Sequence, residues 1–547
     1  MGVQGQHLTF EQHAEIRKRL SKNEKPAAIA QSVGCGIQSV YSIRKKIGST
    51  APSNQKTKPA KIRVPPPPAR MQVEKVLPVP AAHEIRRYLL TAAQDDTPIH
   101  APFWRNLTGY AEEIGAEIMV GGFTYQKGLF EDHSVAAGRF ASDLVPHLRP
   151  EAIRLAPRLV WRGNANILPT ATDPLAGWDT QTRDAWGIFP HAKIALKSVP
   201  VMPGRPGKQI MTTGVVTVEN YVQRNAGQKA EFHHTIGATI VEVQDDDFWC
   251  RQISACRDGA FQDLDVVVRD GVLSRGNAVE GVTYGDIHRE WLDTEKAKGS
   301  WGFGDAPDGG AIVDALRPTY QFFHDVFDFT ARSHHSRNDP HQRARLLAMG
   351  MDNVEDGIAL AAQFLERSRR AWSTSVAVFS NHDGQHIVNW MRDANAAADP
   401  VNAYYWHLLN AAYHRAIRSG DVEFMPHEFA LREVSGDRLA NVRFLREGES
   451  FVICQGVAPI ECGLHAHVGP GGARGSAASL SKIVERANGA HSHSPAIREA
   501  FYQAGTSSTL MPYAARGPGA WHHADIVTYK TGKRTIVTYC GSKWRAA

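Results

Sequence analysis

The 547-residue chain contains several short polar clusters that each follow or adjoin an apolar stretch. The first is Val282-Thr283-Tyr284-Gly285-Asp286-Ile287-His288. Residues i and i+2 of an extended chain share a face, so Asp286 and His288 present one hard oxygen and one imidazole on the same side. Alone this is weak. It is followed by His324-Asp325-Val326-Phe327-Asp328, by Val376-Ala377-Val378-Phe379-Ser380-Asn381-His382-Asp383, by Gly463-Leu464-His465-Ala466-His467 and by Gly489-Ala490-His491-Ser492-His493. So many imidazoles and carboxylates delivered at the ends of apolar segments are hard to explain as chance core residues, and metal binding is the chemistry they suit.

The elements that must position them alternate strand and helix patterns. Ile85–Ala93, Phe103–Ile114 and Ala116–Gly121 read as strand, amphipathic helix and strand, one β-α-β unit. Between Ala152 and Val282 the signals are mainly short strands, among them 193–199, 237–243 and 264–268. His191, His233 and His234 lie there and read as hydrogen-bonded structural residues, outside the site. Helical patterns cover 343–371 and 403–418, and Ile526–Tyr529 and Thr535–Tyr539 flank Lys530–Arg534 as a hairpin.

Composition bounds the rest. With 42% hydrophobic and 22% charged residues the chain can bury a sizeable core, which excludes wholesale disorder. Six cysteines without a Cys-x-x-Cys pair argue against a disulfide framework or thiolate zinc and for a reducing compartment. A signal peptide and a membrane span are not expected. The formal charge is +6, yet residues 1–80 hold 14 basic and 4 acidic side chains, +10, leaving −4 for the remainder. The basic end is therefore a separate statement about partners.

Leu8–Gly48 reads as three short helices with breaks near Asn23 and Gly34. Ala30, Gly34 and Val40 stand where a helix-turn-helix needs a small residue, a residue tolerant of positive φ and an apolar contact. The segment resembles the helix-turn-helix of resolvase-type DNA-binding modules. That implies an exposed face of Gln38, Ser39, Ser42 and Arg44, with Arg44, Lys45 and Lys46 meeting phosphates. A small protein-interaction or oligomerisation module is the alternative. Residues 49–80, with Pro65–Pro68 and several lysines, read as an extended basic linker.

In order and spacing, the polar clusters over about residues 280–540 resemble the calcineurin-like metallophosphoesterase superfamily, whose blocks run Asp-x-His, Gly-Asp-x-x-Asp, Gly-Asn-His-Asp/Glu, a lone His and Gly-His-x-His. His324 stands where Gly is usual, Ser380 replaces the Gly before Asn381, and Ala490 precedes the final His-x-His. The resemblance implies that Asp286, His288, Asp325 and His493 hold one metal and Asp325, Asn381, His465 and His491 the other, with Asp325 bridging. Two divalent ions are expected, Mn²⁺ first, with Zn²⁺, Fe or Mg²⁺ as alternatives. Such ions, about 3.5–4 Å apart, activate a hydroxide and stabilise the attacking and leaving oxygens of a displacement at phosphorus. His382 becomes the general acid or transition-state stabiliser, oriented by Asp328, with Asp383 competing for that role. His467 shares a face with His465; the reading takes His465 as ligand and His467, with Arg474 of the glycine-rich loop Gly469–Ser476, as substrate contacts.

The implied fold is α/β, a four-layer αββα sandwich with 343–371 and 403–418 as outer helices and an N-terminal all-α helix-turn-helix module. The expected domains are 1–48, the linker 49–80, an α/β accessory region 81–280 and the catalytic domain 281–547. From about residue 85 the chain also resembles the large metallophosphoesterase nucleases of tailed bacteriophages, some of which degrade host DNA. Together with the basic N-terminus this leads to a metal-dependent DNA nuclease, cytoplasmic, in the host if phage-encoded, expected to be a homo-oligomer and to have DNA as partner. The alternatives are a phosphatase or cyclic-nucleotide phosphodiesterase on the same centre, and a DNA-binding regulator with a non-catalytic scaffold.

Overall fold

The computed structural model describes residues 8–48, 61–63, 74–77, 81–125, 139–333, 337–512 and 515–546. The chain divides into two compact units, Met1–Ala60 and Lys61–Ala547. In the first, three helices span Phe10–Ser21, Pro26–Val33 and Ile37–Gly48. Thr9 opens the first with a reciprocal cap, its Oγ1 accepting from Gln12 N while Thr9 N donates to Gln12 Oε1. Gly34 closes the second at φ 69°, a left-handed conformation that costs a Cβ-bearing residue about 1 kcal/mol. Ile16, Ile29, Ala30, Val40 and Ile43 form the unit's own small core.

The larger unit is a mixed α/β structure with several sheets. In its six-stranded sheet, Gly281–Thr283, Tyr320–Phe323, Thr374–Ala377 and Val442–Phe444 run parallel, and Ala524–Thr528 and Arg534–Thr538 add an antiparallel hairpin. A four-stranded sheet contains the parallel strands Ile85–Gln94 and Ala116–Phe123, joined by helix Ala101–Ile114. Its strand Asp247–Ser254 runs beside Arg534–Thr538. An eleven-stranded sheet takes strands from both Ala152–Thr212 and Val452–Gln503.

Side-chain alternation sorts these sheets into layers. Val527 and Val537 join Val282, Phe323 and Phe444 in a core with the helices, whereas their neighbours Ile526 and Ile536 join Ile188, Leu196 and Met211 of the eleven-stranded sheet. Burying side chains of this size is worth about 1.5–3 kcal/mol each.

These layers are compatible with an α/β sandwich, but the two helical patterns expected as its outer layers lie together. The second pattern, 403–418, is helix Ala403–Arg418, and the first is two helices, Pro340–Ala348 and Val354–Ser368, broken at Gly350. Ile358 and Leu365 on one and Tyr405 and Leu409 on the other share a single core on one side of the six-stranded sheet. Among the described residues, the far face of the eleven-stranded sheet is covered by the segment 163–178 around Ile167 and Leu175, and by the short helix Ala477–Leu480. Helical periodicity shows that a helix has an apolar face, not which sheet that face meets.

The expected boundaries shift as well. Residues 81–280 and 281–547 are not separate domains, since Leu196–Val199 pairs directly with Ala496–Arg498. The segment 49–80 is not all linker either: Lys61–Arg63 pairs with Arg139–Ala141, and Lys75–Val76 with Ile153 and Arg154. Residues 49–60, 64–73 and 78–80 of that segment lie outside the described residues.

Candidate metal centre

The parallel strands deliver the first polar residues at their C-terminal ends, the edge at which open α/β sheets bind ligands. Asp286 follows Gly281–Thr283, Asp325 follows Tyr320–Phe323 and Asn381 follows Thr374–Ala377. The adjoining turns are locked together: Ile287, His288 and Arg289 donate their N–H groups to the carbonyls of His324, Asp325 and Val326. From the eleven-stranded sheet come His465, after Ile460–Glu461, and His491 and His493, after Ala487–Gly489. His288, Asp325, His491 and His493 all have positive φ, 43°, 44°, 77° and 57°. Non-glycine residues rarely adopt that region, and their clustering marks a site whose surroundings over-determine its backbone.

Among the described residues the side chains converge as three groups, of which one is His288, Asp328 and His382 and the other two overlap at Asp325. Asp286, His288, Asp325 and His493 form one of these two and Asp325, His465 and His491 the other, with the potential ligand atoms of each group within 4.8 Å of one another. Asp325 belongs to both. Its Oδ2 lies 3.6 Å from His288 Nε2 and 3.3 Å from His465 Nε2, and His493 Nε2 lies 3.1 Å from Asp286 Oδ2. Asn381 Oδ1 is 3.2 Å from His465 Nε2.

This donor set fits a cation. Both carboxylate oxygens of Asp286 and of Asp325 are buried without a hydrogen-bond partner. A buried charge left this way costs several kcal/mol unless a positive group compensates it. Burial and the adjacent Asp325 push the Asp286 carboxyl well above the usual carboxylate range. Burial also opposes ionisation of Asp325, but His465, His382 and His288 outweigh it and hold that carboxyl well below its ordinary value. Burial lowers His491 and His493 to about 4, which keeps both imidazoles neutral with a lone pair to offer. The buried His and Asp groups could therefore hold a metal ion.

His382 sits in a π-helical turn, Asn381–His386, of the kind often found at functional sites. Ser380, where the resemblance expects Gly, caps that turn: its Oγ accepts from Asp383 N at 3.0 Å. His382 Nδ1 is 2.9 Å from the Asp328 carbonyl oxygen and 3.5 Å from its Oδ1. Thus the main chain of Asp328 is the nearer partner, while its carboxylate lies closer to His288 Nδ1, 3.1 Å. Burial works against a charge on His382, yet Asp325 and Asp328 raise its pKa to about 9. Asp383 does not compete for it, because its two oxygens accept from Val326 and Phe327 N–H at 3.0 Å.

A cleft of about 830 Å³ opens over the cluster, lined by Asp325, Asn381, His382 and Arg474 among others. His467 turns instead toward Gln385, Nε2 to Nε2 3.2 Å. Lys193, Lys197 and Ser198, from the strand-rich section that carries no readable chemistry, line the same cleft. Arg474 is exposed and forms no ion pair among the described residues. The glycine-rich loop packs tightly at Gly475, where a Cβ would stand 1.9 Å from Ala466 O.

Several contributing residues have contacts to which the sequence assigned no role. His324 stacks on His465. Trp521 packs edge-on against His493, ring centroids 4.2 Å apart. Glu290 accepts from Asp328 N at 2.7 Å. Thr506 Oγ1 and Ser507 N donate to the Asp286 carbonyl, an approach so close that a Cβ on Gly285 would stand 2.6 Å from the Gly505 backbone.

In the N-terminal unit, Gln38, Ser42 and Arg44 are exposed and Ser39 is half-buried. The side chains of Lys45 and Lys46 lie outside the described residues, as do His334 and His335. Among the described residues no helix is long and apolar enough to cross a membrane.

No protein-family model matches the chain, and no solved structure matches it. It is 37% identical over 472 residues to Protein A1 of Escherichia phage T5, covering 84% of this chain and 83% of that protein.

Proposed function

The chain belongs to the family of phage T5 Protein A1, and on that premise we propose that it is a phage-type, metal-dependent DNA nuclease of calcineurin-like metallophosphoesterase character. The observation that carries this reading is Asp325, shared by two buried histidine and carboxylate groups at the floor of an open cleft. Asp286, His288, Asp325 and His493 would hold one divalent ion, and Asp325, Asn381, His465 and His491 a second. A nitrogen and oxygen set without thiolate favours Mn²⁺, with Zn²⁺, Fe or Mg²⁺ as alternatives. When bound, the ions supply an activated water and neutralise charge building on the phosphoryl oxygens.

The chain's own groups do the rest. Asp328, through its carbonyl, holds the proton on His382 Nδ1, so that Nε2 is the atom that can transfer a proton to the leaving oxygen. Arg474 offers a planar pair of donors for a non-bridging phosphate oxygen. The N-terminal unit, read as a helix-turn-helix with Gln38, Ser42 and Arg44 exposed, adds affinity for the DNA polyanion. A polymeric substrate gains from such a tether; a small nucleotide does not. The site of action is then the host cytoplasm.

The test is cleavage of linear and supercoiled plasmid DNA with Mn²⁺, Mg²⁺, Zn²⁺ or chelator, beside Asp325→Ala. Metal-dependent degradation that the variant lacks is expected. Turnover of a small phosphodiester with intact plasmid in every metal would move the function to a phosphodiesterase.

A further inference from the structure

Behind the wall of the cleft lies a second cavity of about 410 Å³, which shares Thr172, Lys193 and Glu499 with it. Both volumes fall in the range of about 300–1,000 Å³ typical of small-molecule sites. The dividing wall is tied together by ion pairs. Glu499, at φ 55°, directs Oε1 to Lys193 Nζ at 2.8 Å and Oε2 to His233 Nε2 at 3.4 Å. Lys193 also donates to the Thr172 carbonyl at 2.7 Å. Lys193 is therefore already neutralised and is not the cation available to an anionic ligand.

That cation is Lys229 on the helix Asn225–Phe232, which lines the far side and forms no ion pair among the described residues. Beside it Phe232 is 84% exposed, with the His233 ring 5.0 Å away, and the amides of Asn225 and Gln228 complete the rim. An open aromatic face, a free ammonium and neighbouring amides are the groups that recognise a base, a phosphate and a base edge. A linear, flexible ligand suits two chambers that share one wall.

We propose that this second cavity is a subsite for a nucleotide of a single strand, flanking the one whose phosphate lies at the metal centre. Phe232 stacks on the base and Lys229 pairs with its phosphate. The inference rests on the nuclease reading of the cleft and deepens it, because it gives the strand a path through residues 169–233.

The experiment compares the full-length protein with a Lys229→Ala, Phe232→Ala double variant and with Phe232→Trp. Binding of dye-labelled single-stranded di- and trinucleotides is read by anisotropy in chelator, and hydrolysis of bis(4-nitrophenyl) phosphate is read with Mn²⁺. The wild type is expected to bind the trinucleotide more tightly than the dinucleotide. The double variant should lose at least about fivefold of trinucleotide affinity and hydrolyse the aryl diester normally, while Phe232→Trp binds like wild type. Unchanged trinucleotide binding in the double variant overturns the subsite, as does equal loss in Phe232→Trp. Oligonucleotide binding that depends on Phe232, in a protein that cuts no DNA with any metal, would leave the subsite standing and refute the nuclease reading.

Discussion

His324 stacks on His465, ring centroids 5.4 Å apart and planes within 27°, with the two Nδ1 atoms 3.3 Å from each other. His465 turns Nε2 toward the oxygens of Asp325 and Asn381 and leaves Nδ1 facing His324 Nδ1; a cation on Nε2 would put the proton on His465 Nδ1, with His324 Nδ1 accepting it. Burial lowers His324 to about 4 and keeps it neutral, able to accept.

With the proposed metal centre, this pairing makes His324 a positioning residue for the His465 imidazole. Replacing His324 by Phe keeps a ring and removes the acceptor, and loss of such an outer partner typically weakens metal affinity by about 10–100-fold. Competition with a chromophoric chelator measures it. Unaltered affinity would remove His324 from the site.

The roles proposed for Asp325 and His382 separate metal binding from proton transfer. Asp325→Ala deletes the side chain common to both groups and should lower bound metal together with turnover. His382→Ala should retain the metal and lose about 10²–10⁴-fold in turnover, the usual contribution of a general acid. Metal content by mass spectrometry decides. Equal depletion in both variants would undo the division of roles.

Truncation should be made after Ala60 and not at 80, because 61–63 and 75–76 pair into sheets of the larger unit. The shortened protein should keep hydrolysing a small phosphodiester but bind DNA more weakly. Its binding should also depend less steeply on salt, by about 0.9 in log–log slope for each DNA phosphate that the missing unit neutralised. An identical slope would assign the N-terminal unit to some partner other than DNA.

His191 predicts an acid limit that does not involve the metal centre. Burial lowers it from 6.5 to about 4, and it is held neutral, Nε2 toward the Leu168 carbonyl at 3.1 Å and Nδ1 accepting from Lys193 N at 2.9 Å. Its folded pKa lies below its unfolded one, so between those values the unfolded chain binds the extra proton. The stabilisation is complete above pH 6.5 and is lost as pH falls toward 4. Urea unfolding of His191→Asn across this window should show a slope shallower by about 1.4 kcal/mol per pH unit. A slope matching wild type would mean that His191 does not titrate on unfolding.

Local patterns were legible wherever they depend on neighbours in the chain. The strand, helix and strand of 85–123 and helix Ala403–Arg418 follow from periodicity, while the hairpin after Ala524 and the left-handed Gly34 between short helices follow from turn residues and the spacing of a helix-turn-helix. The polar clusters that contain Asp286, His288, Asp325, His465, His491 and His493 were equally legible beside their apolar segments, whereas their selection as one ligand set came from the family resemblance.

What tertiary structure alone decided is which distant segments meet. His493 reaches Asp286, and Glu499 reaches Lys193, across about two hundred and about three hundred residues, through the pairing of strands in one large sheet. Periodicity orients a side chain relative to its own element and says nothing about sheet order. For that reason both helical patterns could be read as helices but not placed on one side, and the section from 152 to 233 could be read as folded but not as the wall of the cleft. The role of His324 was hidden for the same cause: its partner lies 141 residues away, and only packing brings the two rings together.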